Sequence, residues 1–166
     1  MKRVICCICT ATLCFSALIG CSNEQKCKEV VTEFSATAEI FYYDEQLDCT
    51  LSADISGISL NVNSGSMSGI NYECKGDEVK ASFGSLEIKT TPPASSLPHA
   101  LNSAFGILRS GGAEHIECSD TLCKYKGESD SGIFFAKVDK NTGYISELNY
   151  DSINLSAKLT YENAIQ

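Results

Sequence analysis

Apolar and polar residues alternate along most of this chain, and the alternation has no error in residues 46–55. A period of two places all the apolar side chains on one face of a β-strand, as in a sheet with one buried face. Ser56 and Gly57 then predict a two-residue hairpin turn. The pairs expected across this hairpin are Ile55 with Ile58, Ala53 with Leu60, and Leu51 with Val62. Similar patterns elsewhere predict about nine to eleven short antiparallel strands joined by tight turns.

Residues 95–112 depart from this pattern, because their apolar residues recur at helical spacing. Ser95 or Ser96 can cap the first turn, and Gly111 can end the helix. The residues predicted on its apolar stripe are Leu97, Leu101, Ala104, Phe105 and Leu108. A lone amphipathic helix needs the apolar face of a sheet to lie on. We therefore expect a mainly β (α+β) fold, in which the helix covers the concave face of a curved antiparallel sheet or unclosed half β-barrel.

Residues 1–20 have the features of an export signal, with Lys2 and Arg3 before an apolar stretch shorter than a membrane span. Residues 18–21 resemble the bacterial lipobox, in which cleavage precedes a cysteine that carries diacylglycerol. We therefore expect Cys21 to be the lipidated N-terminus of the mature protein. The alternatives are an uncleaved transmembrane anchor and a plainly secreted protein.

The expected mature chain has 146 residues, enough for one domain. The predicted divisions are a signal peptide at 1–20, a lipidated cysteine and tether at 21–32, and one half-barrel domain at 33–166. Removal of the signal leaves 11 basic and 21 acidic residues, a net charge of −10. This charge argues against a nucleic acid or an anionic membrane surface as partner. Membrane attachment then depends on the lipid on Cys21, and two acyl chains make it durable.

Five cysteines follow Cys21, an odd number that cannot be fully paired within one chain. Cys118 and Cys123 flank four residues, so a hairpin loop would set them opposite each other, within reach of a disulfide. An oxidising cell surface would permit that bond. The alternative is a small buried hydrophobe, which we favour for Cys49 and Cys74 and leave open for Cys118. Neither a C-x-x-C spacing nor a histidine pair indicates a metal, so we expect no metal and no cofactor.

No residues are spaced for catalysis. His99 at the helix start and His115 on a strand have no serine, cysteine or acid placed by local sequence to activate them. Asp139, Asn141 and Gly143 are superficially similar to a calcium loop, but the glycine comes one residue early and no glutamate stands at the twelfth position. A hairpin turn explains them better. We therefore expect no enzyme activity.

The order of elements is similar to that of one superfamily. Its features here are the lipobox, the early alternating strands, the passage through residues 86–97 into one helix, and the hairpin of Val138, Asp139, Thr142 and Gly143. Residues 33–161 thereby resemble the lipoprotein-carrier superfamily of lipoprotein localisation factors and mycobacterial lipid-binding lipoproteins. The resemblance implies an unclosed barrel with helices over a cavity that holds acyl chains. Some relatives in spore-forming bacteria look like partners of cell-wall amidases, which favours a Gram-positive envelope.

We therefore expect a non-catalytic binding protein at the extracytoplasmic membrane face, with one of two functions, of which the first is the favoured one. In the first, an acyl chain or other apolar ligand lies beneath the helix, between its stripe and small residues of the sheet. Those small residues are Ala36, Ala38, Ala53 and Ala81. In the second, which is the alternative, the domain binds an envelope protein at the cell surface, for example as an accessory to a cell-wall or spore-germination enzyme. A ligand carrier predicts a cavity between helix and sheet, whereas a partner module predicts a filled core with an exposed apolar patch or a free sheet edge.

Overall fold

The computed structural model describes residues 27–162, which contain eleven strands and one helix. The elements are β1 Phe34–Tyr42, β2 Glu45–Asp54, β3 Gly57–Val62, β4 Ile70–Lys75, β5 Glu78–Phe83, β6 Leu86–Thr90, α1 Leu97–Arg109, β7 Glu114–Cys118, β8 Leu122–Ser129, β9 Gly132–Asp139, β10 Ile145–Tyr150 and β11 Leu155–Thr160. All the strands form one unclosed antiparallel sheet in the order β6-β5-β4-β3-β2-β1-β11-β10-β9-β8-β7. The predicted mainly β class with one helix is confirmed.

The sheet buries one face, as the alternation predicts. In β2, Leu47, Cys49 and Leu51 are buried, whereas the residues between them are exposed. The same alternation continues in β1, β9 and β11. These side chains and the stripe of α1 form one hydrophobic core. Because β1 pairs with β11, the first and last strands lie at the centre of the sheet and join its two halves.

The helix forms where the sequence predicts it. Pro98 occupies the first turn, where its missing N–H removes no helical hydrogen bond. Arg109 lies in the last turn, where a positive charge interacts favourably with the helix dipole. Gly111 follows at φ +70° and ends the helix. The five predicted stripe residues are buried, with exposed fractions of 0–6%.

The two ends of the helix contact different parts of the sheet. Just before its start, the carbonyl of Ser95 accepts a hydrogen bond from the Tyr42 hydroxyl, and the carbonyl of Ala94 accepts one from Ser131. At its end, the Arg109 guanidinium lies 3.5 Å from the carbonyl oxygen of Ile55 in the β2–β3 turn. The helix packs against β3 and β4 in one half of the sheet and against β8 in the other.

The predicted register of the β2–β3 hairpin is wrong by two residues. The structure pairs Ala53 with Ile58 and Leu51 with Leu60, and Ile55 lies in the turn with 77% of its surface exposed. The Asp54 carboxylate stabilises this turn by accepting hydrogen bonds from the backbone N–H groups of Ser56 and Gly57. Since a shift of two residues leaves every side chain on its original face, the predicted apolar face is retained.

The segment 27–33, which includes part of the predicted tether, lies against the β9–β10 loop. The backbone N–H of Lys28 donates to the carbonyl of Lys140, and that of Val31 donates to the carbonyl of Gly143, at 3.1 and 2.8 Å. Gly143 has φ +81°, and a Cβ there would overlap the carbonyl oxygen of Glu29. A glycine is therefore needed for this close approach.

Candidate functional site

The residues predicted to face an apolar ligand fall into two groups. Eight of them belong to the core, with exposed fractions of 0–6%: Leu97, Leu101, Ala104, Phe105, Leu108, Ala36, Ala38 and Ala53. The ninth, Ala81 on β5, is only partly buried. The structure thus brings the helix stripe and three of the four small residues together, while Ala81 lies in a more open part of the same face.

Side chains pack closely beneath the helix. The rings of Phe105 and Phe34 meet edge to face with their centroids 5.3 Å apart. The Tyr150 hydroxyl donates to the carbonyl of Ala100 at 3.1 Å and lies 3.0 Å from the Ser129 hydroxyl. Burial raises the pKa of Tyr150 to about 12. The protein's own side chains therefore fill this part of the apolar face.

The distal part of the same face, on β4, β5 and β6, is not covered by the helix. Phe83, Leu86 and Ile88 have exposed fractions of 56, 69 and 65%. Cross-strand pairing places Phe83 between Ile70 and Leu86, and Ala81 between Tyr72 and Ile88. Leu60 of the core is in turn the partner of Tyr72, so all of these residues lie on the core face. We call Ile70, Phe83, Leu86 and Ile88 the β4–β6 apolar surface.

The opposite face of these strands carries charges. Lys80 lies 3.0 Å from a carboxylate oxygen of Glu87 and 3.9 Å from one of Glu73, and Lys89 lies 3.8 Å from one of Glu78. The hydrogen bond to Glu87 raises the pKa of Lys80. Because these pairs are partly or largely exposed, they stabilise the fold little. They do make the two faces chemically distinct, one charged and one apolar.

Edge strand β6 borders the β4–β6 apolar surface. Within the described sheet β6 pairs with β5 alone, so one side of its backbone has no strand partner. Unpaired edges with apolar side chains are ready templates for another strand. An apolar surface of this kind, beside a free edge, is a candidate binding site.

A second feature is a cluster of sulfur and imidazole groups at the other edge of the sheet. Cys118 and Cys123 are cross-strand partners in the β7–β8 hairpin, as the spacing predicts, with their Cα atoms 4.2 Å apart. Cys27 joins them from the docked N-terminal segment. The Nε2 of His115 lies 3.6 Å from the sulfur of Cys27. Cys118 is exposed, which rules out the buried alternative, and Cys123 is buried.

The sequence does not predict that Cys27 and His115 lie beside Cys118 and Cys123, for two structural reasons. In a regular strand His115 and Cys118 would point to opposite faces, because they are three residues apart. An irregularity in the β7–β8 pairing between His115 and Glu117 brings both to one face. The position of Cys27 depends on the docking of residues 27–33, which have no strand pattern. A sign of that docking in the sequence is the glycine at 143, where the carbonyl oxygen of Glu29 approaches too closely for a Cβ.

The other residues considered in the sequence have structural roles. Cys49 and Cys74 are buried and unpaired among the described residues, and burial raises the pKa of both thiols to about 12, so they remain protonated. The Nε2 of His99 lies 3.1 Å from a carboxylate oxygen of Asp130. Asp139 accepts hydrogen bonds from the backbone of the β9–β10 turn, which lower its pKa. This bonding agrees with the hairpin interpretation.

Cys21 lies outside the described residues. Among the described residues, no helix has both the length and the apolar character needed to cross a membrane. No protein-family model matches the chain, and no curated protein matches its sequence significantly.

Proposed function

We propose that the mature protein is a lipid-anchored, non-catalytic binding protein of the cell envelope. Its β4–β6 apolar surface accepts an extended apolar segment of a partner protein. The observation that carries the proposal is the exposure of Phe83, Leu86 and Ile88 on the core face, beside an edge that has no strand partner among residues 27–162. A segment added to β6 would use the unpaired backbone and place alternate side chains on the apolar surface. A lipid chain could use only the apolar part of such a site.

The proposed shape is a curved half-barrel sheet around α1. Support comes from the contacts of the helix with β3 and β4 on one side and with β8 on the other. Five strands separate β3 from β8 in the sheet order, so a flat sheet would be too wide for one helix to reach both. Such curvature, together with the lipobox and the element order, also supports membership of the lipoprotein-carrier superfamily.

Acyl-chain binding is the second candidate, and the apolar character of the same surface favours it. Beneath the helix, by contrast, Leu101, Ala104 and Phe105 are fully buried among other side chains. A ligand there would have to displace α1. An acyl chain is therefore better placed beside Ala81 and Ile88 than at the position that the family resemblance implies.

In-cell photo-crosslinking tests the proposal. A photoreactive phenylalanine derivative is placed at position 88 in the full chain, and at position 87 in a matched control. Ile88 and Glu87 are neighbours on one strand and lie on opposite faces. We expect a discrete adduct with one envelope protein from position 88 and none from position 87. That protein, once identified and purified, should bind the mature chain, and Phe83→Ser should weaken the binding.

Three outcomes would contradict the partner proposal. An adduct with a second copy of this chain would assign the free edge to self-association. A lipid adduct, with saturable uptake of a fluorescent fatty acid that Leu86→Asp abolishes, would establish the acyl-chain function. Equal labelling from positions 87 and 88 would show that the apolar face has no specific occupant.

A further inference from the structure

Four side chains with metal-binding atoms meet at the β7 edge of the sheet, away from the β4–β6 apolar surface. They are Cys27, His115, Cys118 and Cys123, and their ligand atoms all lie within 4.8 Å of one another. Three parts of the chain supply them: the N-terminal segment, β7 and β8. We propose that these four side chains bind one zinc ion.

The donor set fits tetrahedral zinc. Three thiolates and one imidazole are a common ligand set of structural zinc sites. Bonds of about 2.3 Å to sulfur and 2.0–2.1 Å to nitrogen place a sulfur and a nitrogen ligand about 3.6 Å apart at the tetrahedral angle. Cys27 Sγ and His115 Nε2 are 3.6 Å apart, whereas the sulfurs of Cys27, Cys118 and Cys123 lie as close to one another as bonded sulfurs do and would move apart on binding the ion. The ring of Tyr125 contacts His115 edge to face, with centroids 5.4 Å apart, and restricts the orientation of the imidazole.

A disulfide accounts for fewer of these groups than zinc does. One disulfide uses two sulfurs and leaves the third thiol and the imidazole without a role. The Cα separations of 4.2 Å for Cys118–Cys123 and 7.5 Å for Cys27–Cys118 fall outside the usual range of about 4.4–6.8 Å, and that of Cys27–Cys123, 6.4 Å, falls within it. Zinc uses all four groups. Each thiol releases its proton to solvent when the metal binds, and no electron is transferred.

The proposed ion would join the N-terminal segment to the β7–β8 hairpin. Two backbone hydrogen bonds between this segment and the β9–β10 loop hold the segment in the position that places Cys27 beside the cluster. A site with four protein ligands leaves no open position for a substrate, so its role would be structural. Five residues separate Cys27 from Cys21. If Cys21 carries the proposed lipid, the metal also holds the folded domain close to the membrane.

Metal titration of the mature chain, residues 21–166, tests this site. The protein is reduced, freed of metal with a chelator, and titrated with Zn²⁺ and with Co²⁺. We expect one ion per chain, the visible spectrum of tetrahedral cobalt, and a thiolate charge-transfer band. Cys27→Ser, Cys118→Ser, Cys123→Ser and His115→Ala should each weaken zinc binding by more than the roughly 10–100-fold that loss of an outer partner costs.

Two controls separate ligand loss from misfolding. His99→Ala and Cys49→Ala remove residues of the same types outside the cluster and should leave the stoichiometry unchanged. His115→Cys should restore one tight site, with a stronger charge-transfer band from four thiolates. The proposal is overturned if the reduced chain binds no zinc, or if zinc affinity is indifferent to His115→Ala. It is also overturned if protein isolated from cells with its thiols blocked contains a disulfide between any two of Cys27, Cys118 and Cys123.

Discussion

The apolar face of this sheet has two parts that differ in what covers them. On β1–β3 and β8–β11, the side chains of α1 exclude water, and Phe105 and Leu101 are fully buried. On the distal part of β4–β6, the same alternation leaves Leu86 and Ile88 largely exposed. Alternation determines which face a side chain lies on, whereas burial depends on where the helix lies. The proposed function places binding on the uncovered part, where no core side chain has to move.

The largest expected effect is the difference in unfolding free energy between truncating a side chain beneath the helix and truncating one on the uncovered part. Phe105→Ala should lower the free energy of unfolding by about 3–5 kcal/mol, because it leaves a cavity beneath the helix. Leu86→Ala should change it by less than about 0.5 kcal/mol, because that side chain is mostly in water already. Urea unfolding of both variants measures the difference. Similar losses for the two would mean that the two parts are equally covered.

Enlarging two alanines tests whether the space beneath the helix is already full. Ala104 is fully buried and Ala81 is partly buried. Ala104→Phe should overpack the core and cost about 1–3 kcal/mol. Ala81→Phe should cost less, because its new ring can extend over the open surface. If Ala104→Phe were neutral in thermal unfolding, a cavity beneath the helix would be the better account, and acyl-chain binding there would regain support.

A smaller effect is expected from Tyr150, in the covered part, on how stability changes at alkaline pH. Burial raises the pKa of Tyr150 to about 12 from its usual value of about 10. Because the phenol ionises less readily in the folded chain, its contribution to stability is fully present below pH 10 and is lost as pH rises toward 12. Tyr150→Phe should therefore flatten the fall in stability over this window by on the order of 2 kcal/mol. A variant whose alkaline profile runs parallel to that of the parent protein would contradict the burial of this hydroxyl.

Local patterns predicted the strands, the helix and its apolar stripe, because each depends on side chains a few residues apart. They failed where the deciding contact is distant or irregular. The β2–β3 register shifted because the Asp54 side chain bonds the turn backbone, which strand alternation does not encode. His115 lies beside Cys118 because the pairing of β7 is irregular between them. Cys27 lies beside both because the N-terminal segment docks on the β9–β10 loop. The exposure of Phe83 depends on the reach of α1 across the sheet.

Hydrogen–deuterium exchange of the full chain, in its native membrane and after purification, tests most directly where the binding surface lies. The proposed function predicts that amides of residues 86–90 exchange fast in the purified protein and are slowed in the membrane, where a partner can occupy the edge of β6. Amides of residues 97–109 should be equally protected in both samples, because the packing of α1 does not change. Protection that changes only in residues 97–109 would contradict the account, since it would place the ligand beneath the helix.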